Sequence, residues 1–257
     1  MFKDWLNVSQ THEIRLQDVP PDPKFKDIGL LIKAVNQCPQ ANEMLSSLID
    51  SYPVAFGQAQ WNIYFGGVGV EPPLPANIKE ILASPCPIWP EKRIVETHML
   101  VLIPQTVNGL PLTLNSLEEL IKRPKEGFPT QYQDSRMGGH ENTPSKASHW
   151  VLMTRDIIPG SRGKNYADQQ RMIASVGGEA HDSYQVPTLI EATVCILMEH
   201  VRSGTRLFSP STYTRCEEKF FSGSYQMVVG GFAPAGLYVY NFFYDDDFIG
   251  VAALRKF

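Results

Sequence analysis

The residues of this chain best suited to molecular contact lie together near its C-terminus. Ten of the eleven residues from 238 to 248 are Tyr, Asn, Phe or Asp. Aromatic side chains with two torsions cover a large area at low entropic cost, and short polar side chains add hydrogen bonds, as in antibody binding loops. We therefore predict that the chemistry of this segment is non-covalent recognition, performed by Tyr238, Tyr240, Asn241, Phe242, Phe243, Tyr244, Asp245, Asp246, Asp247 and Phe248.

The few residue types that make up this segment are also related to one another through their codons. The Asn codons AAC and AAT become Tyr, Asp or Phe codons when only their adenines are replaced. The segment therefore resembles the variable region of a diversity-generating retroelement variable protein, in which reverse transcription of a template repeat scrambles Asn codons. This resemblance implies a ligand-binding protein rather than an enzyme, with a hypervariable region near residues 237–251.

The flanks of the segment predict two strands that hold it in place. Leu237 and Val239 alternate with tyrosines, and Ile249 and Val251 resume the apolar rhythm. Because successive side chains of a strand point to opposite faces, we expect these apolar residues in the core and the ten contact residues in solvent. An aromatic core hairpin with an acidic tip is the alternative, although the aspartates at 245–247 oppose burial without partners.

Periodicity elsewhere predicts an α+β domain with a helical extension. We expect a helical N-terminal segment over 1–56 and a ligand-binding domain over 57–257. Strands are predicted at 61–70, 98–103, 150–154, 213–216, 225–229 and 249–254, and helices at 116–121, 166–174 and 187–201. The last helix is apolar almost all round, which predicts a central position. Residues 122–148 have the composition of a long, mobile loop.

One run of residues suggests which α+β fold this is. The sequence Tyr-Gln-Val-Pro-Thr-Leu-Ile-Glu-Ala over 184–192 resembles the Leu-Pro-Thr-x-x-Glu-Ala helix of formylglycine-generating-enzyme-like C-type lectin folds. A glycine-containing strand near 228–232, a loop and a final strand near 250–257 follow in a similar order. The resemblance covers about 150–257 and implies a C-type lectin-like fold with short twisted antiparallel strands, two main helices and long loops. It also implies a rigid frame for mutated side chains, with ligands that need not be sugars.

Residues that would support catalysis or metal binding are scattered. The resemblance also implies an alternative function, that of a formylglycine-generating type of enzyme acting on sulfur substrates. Such an enzyme needs a reactive cysteine pair. Cys195 lies within a predicted helix and Cys216 stands alone. The aspartates at 245–247 offer the oxygen ligands that Ca²⁺ prefers, but consecutive strand residues point apart. We predict no catalytic residue, no metal site and no cofactor, and leave calcium binding by these aspartates open.

Composition restricts the partners. A net charge of −4, a pI of about 5.9 and the lack of a long basic cluster argue against nucleic acid. No apolar stretch suits a secretion signal or a membrane span, so we expect no membrane insertion and a cytoplasmic protein by default, with export or virion display left open.

The expected partner is a protein or cell-surface ligand. A fixed host-interaction module with an invariant aromatic loop is a further alternative. Neither the ligand nor the oligomeric state follows from the sequence.

Overall fold

The computed structural model describes residues 55–133, 136–180, 184–221, 223, 225–242 and 244–257. Within these ranges the chain is mixed α+β, with six helices, two four-stranded sheets and one two-stranded hairpin. The predicted fold class is therefore confirmed at the level of α+β. The predicted helical segment over 1–56 lies outside the described residues, except for Ala55 and Phe56, which form a strand.

The first sheet has the strand order β1–β2–β5–β10. Its strands are β1 (Ala55–Phe56), β2 (His98–Ile103), β5 (His149–Thr154) and β10 (Leu254–Lys256). A nearly continuous apolar run such as β2 or β5 is typical of a strand covered on both faces, and every residue of β2 is buried. β1 is parallel to β2, and the other pairs are antiparallel. The strands predicted at 98–103 and 150–154 are confirmed.

The second sheet has the strand order β8–β7–β6–β9 and carries the predicted contact segment. Its strands are β6 (Tyr213–Lys219), β7 (Gln226–Ala233), β8 (Gly236–Asn241) and β9 (Ile249–Gly250). β6, β7 and β8 pair antiparallel, whereas β9 is parallel to β6. The single strand predicted at 249–254 is divided between β9 and β10, because the chain crosses there from one sheet to the other.

The helix α6 (Leu189–Ser203) lies between the sheets and contacts β2, β5, β6 and β7. Its start is set by a capping box in which Thr188 accepts from the Glu191 amide and the Glu191 side chain accepts from the Thr188 amide. Its end is set by Gly204, which takes the left-handed conformation at φ 74°. All but three of its residues are buried, as expected for a helix that is apolar almost all round.

The remaining helices are α1 (Gln58–Tyr64), α2 (Ile78–Ala83), α3 (Ile94–Thr97), α4 (Leu114–Lys122) and α5 (Tyr166–Ala180). The helices predicted at 116–121 and 166–174 are confirmed as parts of α4 and α5. The strand predicted at 61–70 was wrong, because α1 occupies its first half. The Gly57 amide donates to Gln60 Oε1 at 3.0 Å and starts that helix. A short aromatic run does not distinguish a strand from a helix by periodicity.

A short hairpin and a long loop connect the remaining elements. The Asn108-Gly109 turn, with φ of 52° and 80°, joins β3 (Thr106–Val107) to β4 (Leu110–Pro111). In the described part of 123–148 there is no helix or strand, as expected. This loop runs along the outer edge of β8, where the Gln133 amide donates to the Leu237 carbonyl at 2.9 Å. It thereby covers a sheet edge that would otherwise be free.

Candidate ligand-binding surface

The strand β8 presents its side chains alternately to the core and to the outer face, as its period of two predicts. Leu237 and Val239 are fully buried, whereas Tyr238 and Tyr240 are partly exposed. Asn241 has the same parity as Leu237 and Val239, lies opposite a buried residue of β7 and is only 2% exposed. The expectation that Asn241 stands in solvent was therefore wrong, because the strand continues far enough to turn it inward.

Five rings form a cluster on the outer side of the second sheet, here named the aromatic face: Tyr213, Tyr238, Tyr240, Phe242 and Phe248. The Tyr213 ring centroid lies 6.4 Å from that of Tyr238, 5.1 Å from that of Phe242 and 5.6 Å from that of Phe248. Phe242 also lies 5.4 Å from Tyr240 and 5.0 Å from Phe248. The contacts of Phe242 and Phe248 with Tyr213 and with each other are edge-on, a geometry that stabilises aromatic pairs beyond the area they bury. The rings therefore hold one another in position.

Two glycines of β7 make room for the central ring of this face. Gly230 lies in register between Tyr213 and Tyr238, and a Cβ there would overlap the Thr212 carbonyl oxygen. A Cβ on Gly231 would overlap the Tyr213 hydroxyl. The two glycines have φ of 155° and 56°, a region that L side chains rarely adopt. The position of Tyr213 thus depends on glycine at both places.

Beyond β8 the contact segment leaves the sheet and becomes more exposed. Tyr244 is 77% exposed, Asp245 and Asp247 are exposed, and Asp246 is partly exposed. Phe243 lies outside the described residues. The amide of Ile249 donates to the Asp246 carbonyl at 2.9 Å, which forms a turn into β9. The acidic residues therefore form a rim at one end of the aromatic face.

Two arginines from outside the segment hold this acidic rim. Arg162 donates from Nη1 to the carbonyl oxygen of Asp247 at 3.0 Å. Arg215, on β6, pairs through Nη2 with the carboxylate of Asp245. Within the described part of the chain, the carboxylates of Asp246 and Asp247 have no ion-pair partner. Asp247 is exposed, so a ligand can reach its carboxylate.

Four residues of this surface were not predicted from the sequence: Tyr213, Arg215, Arg136 and Arg162, the last of which lies in a turn. The first two have the same parity in a strand that was predicted, and that strand lies in the same sheet as β8, with β7 between them. Placing the predicted strands in one sheet would therefore have put both residues on its outer face. Arg136 gave no signal, because it lies in a loop. Its guanidinium carbon is 5.4 Å from the centroid of the Tyr240 ring, within the range of a cation–π contact.

A pocket of about 200 Å³ adjoins the aromatic face, and it is lined by Asn165, Tyr166, Arg215, Tyr225, Gln226, Val228, Phe242, Tyr244, Asp245 and Ile249. Burial, reinforced by Glu217, Cys216 and Glu218, raises the pKa of Tyr166 to about 12. Burial, with a smaller contribution from Tyr238, also raises the pKa of Tyr213. Both phenols are therefore uncharged at neutral pH and offer a hydroxyl and an apolar ring.

The cysteines do not form a reactive site in the described part of the chain. Cys195 and Cys216 are fully buried, and burial raises the pKa of both thiols well above the ordinary value. A protonated, inaccessible thiol is a poor nucleophile. Residues 55–257, apart from the few positions not described, contain no group of three or more His, Cys, Asp or Glu side chains that could hold a metal ion. Cys38 lies outside the described residues.

None of the helices in the described ranges is both long enough and apolar enough to span a bilayer. Comparisons with family models, with curated proteins and with solved structures gave no match to this chain.

Proposed function

We propose that this chain is a ligand-binding protein diversified by a retroelement, and that its contact surface is the aromatic face together with the acidic rim. The fold we propose for the frame is C-type lectin-like. The order of the elements supports this fold, because α6 is followed by the glycine-containing strand β7, the contact segment and the final strand β10, the order that the resemblance implies. The partner is a protein or cell-surface ligand.

The observation that carries the proposal is the separation of inward and outward positions within one short segment. Leu237, Val239 and Val251 are fully buried, whereas Tyr244 and Asp247 are exposed. Surface substitutions away from special features usually change stability by less than about 0.5 kcal/mol, and core substitutions cost several times more. Codons for outward residues can therefore vary while those for inward residues stay constant.

The packing of the aromatic face supports recognition in a second way. Ordering a flexible side chain at an interface costs about 0.5–1.5 kcal/mol, and this cost is reduced when the side chain is already held before binding. Tyr238, Phe242 and Phe248 are each in ring contact with Tyr213, which lies outside the variable segment. A fixed residue therefore preorganises rings that would differ from one variant to another.

A genomic comparison tests the retroelement. A near-copy of the DNA that encodes residues 237–251 should lie close to a reverse transcriptase gene. We expect the two copies to differ only where the template has adenine, and at codons for outward residues such as Tyr238, Tyr240 and Tyr244. Differences spread over all four bases, or absence of the second copy, would refute diversification.

A display library tests binding itself. One library randomises the codons of Tyr238, Tyr240, Tyr244 and Asp247 on this scaffold, and a matched library randomises four exposed positions on α4 and the β3–β4 hairpin. Selection against a panel of unrelated folded proteins should enrich specific binders from the first library far more often. Equal enrichment from both libraries would show that this surface has no special aptitude for recognition.

A fixed interaction module is the second candidate function, and one observation favours it. Arg215 forms a specific ion pair with Asp245, and an invariant interface would preserve such a pair. Sequences of close relatives separate the two candidates. A fixed module keeps residues 238–248 unchanged, whereas a diversified protein changes these residues and little else.

A further inference from the structure

Arg215 is a buried cation whose counter-ion comes from the contact segment. The residue is 7% exposed, and its guanidinium pairs with the carboxylate of Asp245, whose side chain is 46% exposed. A buried charge is costly unless it is paired, and removal of one partner leaves the other uncompensated. The frame therefore presents a fixed positive charge that residue 245 neutralises from the surface.

The surroundings of this ion pair are those of a small binding site. Arg215 and Asp245 both line the pocket of about 200 Å³, and Tyr166 and Phe242 contribute aromatic surface to it. Asn165 and Tyr166, at the start of the 15-residue helix α5, also line it. Asp168 in the first turn of α5 offsets the partial positive charge of this helix start, so Arg215 is the group that attracts an anion here.

We propose that this pocket is a carboxylate-binding site in which Asp245 acts as the built-in occupant, so that residue 245 decides whether the pocket accepts a carboxylate from a ligand. The inference rests on the proposed function, because it assigns to a variable position the control of one ligand class. With Asp at 245 the site is closed to anions. With a neutral residue there, Arg215 is open to an aromatic or aliphatic carboxylate.

Nearby acidic groups restrict the charge of the ligand. Glu217 and Glu218 are close enough to Tyr166 to help raise its pKa. Glu218 Oε2 accepts from the Leu189 amide at 2.7 Å, so that carboxylate is engaged with the start of α6. These two negative charges disfavour a phosphate dianion, and the site is therefore suited to a singly charged carboxylate.

The test compares benzoate with its neutral isostere benzamide on three chains: the wild type, Asp245→Asn and the double variant Asp245→Asn with Arg215→Gln. Isothermal titration and thermal unfolding are measured at low salt for each pair. We expect Asp245→Asn to bind benzoate at least about tenfold more tightly than the wild type does, as for a hydrogen bond to a charged group. The affinity for benzamide should be the same for all three chains.

Thermal unfolding guards against a variant that is merely less stable. Benzoate should raise the Tm of Asp245→Asn but not that of the wild type or the double variant, since a ligand stabilises only the state that binds it. An Asp245→Asn chain that benzoate neither binds nor stabilises would overturn the inference, and so would equal binding of benzoate by the double variant. The genomic comparison does not depend on Arg215. If benzoate does not bind, the proposed diversification is unaffected, and if no second DNA copy is found, the result for the pocket is unaffected.

Discussion

The frame that holds the binding surface depends on a buried carboxylate at the start of α6, and Glu191→Gln tests this dependence. Glu191 Oε1 lies 2.8 Å from His149 Nε2 on β5 and 2.8 Å from Lys256 Nζ on β10. Its Oε2 accepts from the Thr188 amide at 2.9 Å. One side chain thereby joins the central helix to two strands of the first sheet. Glutamine keeps the size of the side chain and an acceptor but removes the charge.

The magnitude follows from the pKa of Glu191. Burial raises this pKa, but hydrogen bonds from His149, Lys256 and the Thr188 amide lower it more, and it falls from 4.5 to about 2. A lowered folded-state pKa stabilises the fold at pH above 4.5, and the contribution is lost as the pH falls toward 2. The difference corresponds to about 3 kcal/mol at neutral pH.

Urea unfolding followed by circular dichroism measures this contribution. At pH 7 we expect Glu191→Gln to lower the free energy of unfolding by about 3 kcal/mol, and the difference from wild type should shrink as the pH approaches 2. The matched control is Glu119→Gln, which removes an exposed partner of Lys122 and should cost less than about 0.5 kcal/mol. A loss at pH 7 as small as that of the control, or one that persists unchanged in acid, would refute this reasoning.

Two further predictions use the same unfolding assay. Burial lowers the pKa of His149, but the Glu191 carboxylate and the Ala147 carbonyl raise it more. Its contribution is therefore complete below pH 6.5 and is lost as the pH rises through the folded-state pKa, so wild-type stability should decline there. His149→Gln should lack this decline, and an identical pH profile would contradict the assignment. Gly230→Ala should cost about 2 kcal/mol or more, because its Cβ would overlap the Thr212 carbonyl oxygen at a positive φ. Gly67→Ala, where the nearest atom is 4.0 Å away, is the control, and equal costs for the two would show that Gly230 is not constrained.

The fold was predictable where one pattern dominated. The apolar runs of β2 and β5 and the largely apolar helix α6 each have a periodicity and length that favour one structure. The helix α1 was not predictable, because Trp61 and its neighbours suit a strand as well as a helix, and tertiary packing decides between the two. The division of 249–254 was also hidden, since this run is short and unbroken by polar residues, and the sequence does not show which sheet a strand joins.

The binding surface was predictable where residues alternate regularly along a strand. The alternation of Leu237 and Val239 with tyrosines fixed which side of β8 faces outward, and the same alternation, carried one step further, would have turned Asn241 inward. Tyr213 and Arg215 lie far away in the sequence. Their role depends on which strands pair, and strand pairing is a long-range property that local residue patterns do not contain.

We expect the outward residues of the contact segment to be free to change and the inward residues to be constrained. A saturation scan of residues 237–251, sorted for folded protein by resistance to protease, measures this directly. We predict that Tyr238, Tyr244 and Asp247 accept most substitutions, whereas Leu237 and Val239 accept only apolar residues of similar size. Equal tolerance at both sets of positions, or greater sensitivity at the outward ones, would show that this segment is not built to vary on its outward side.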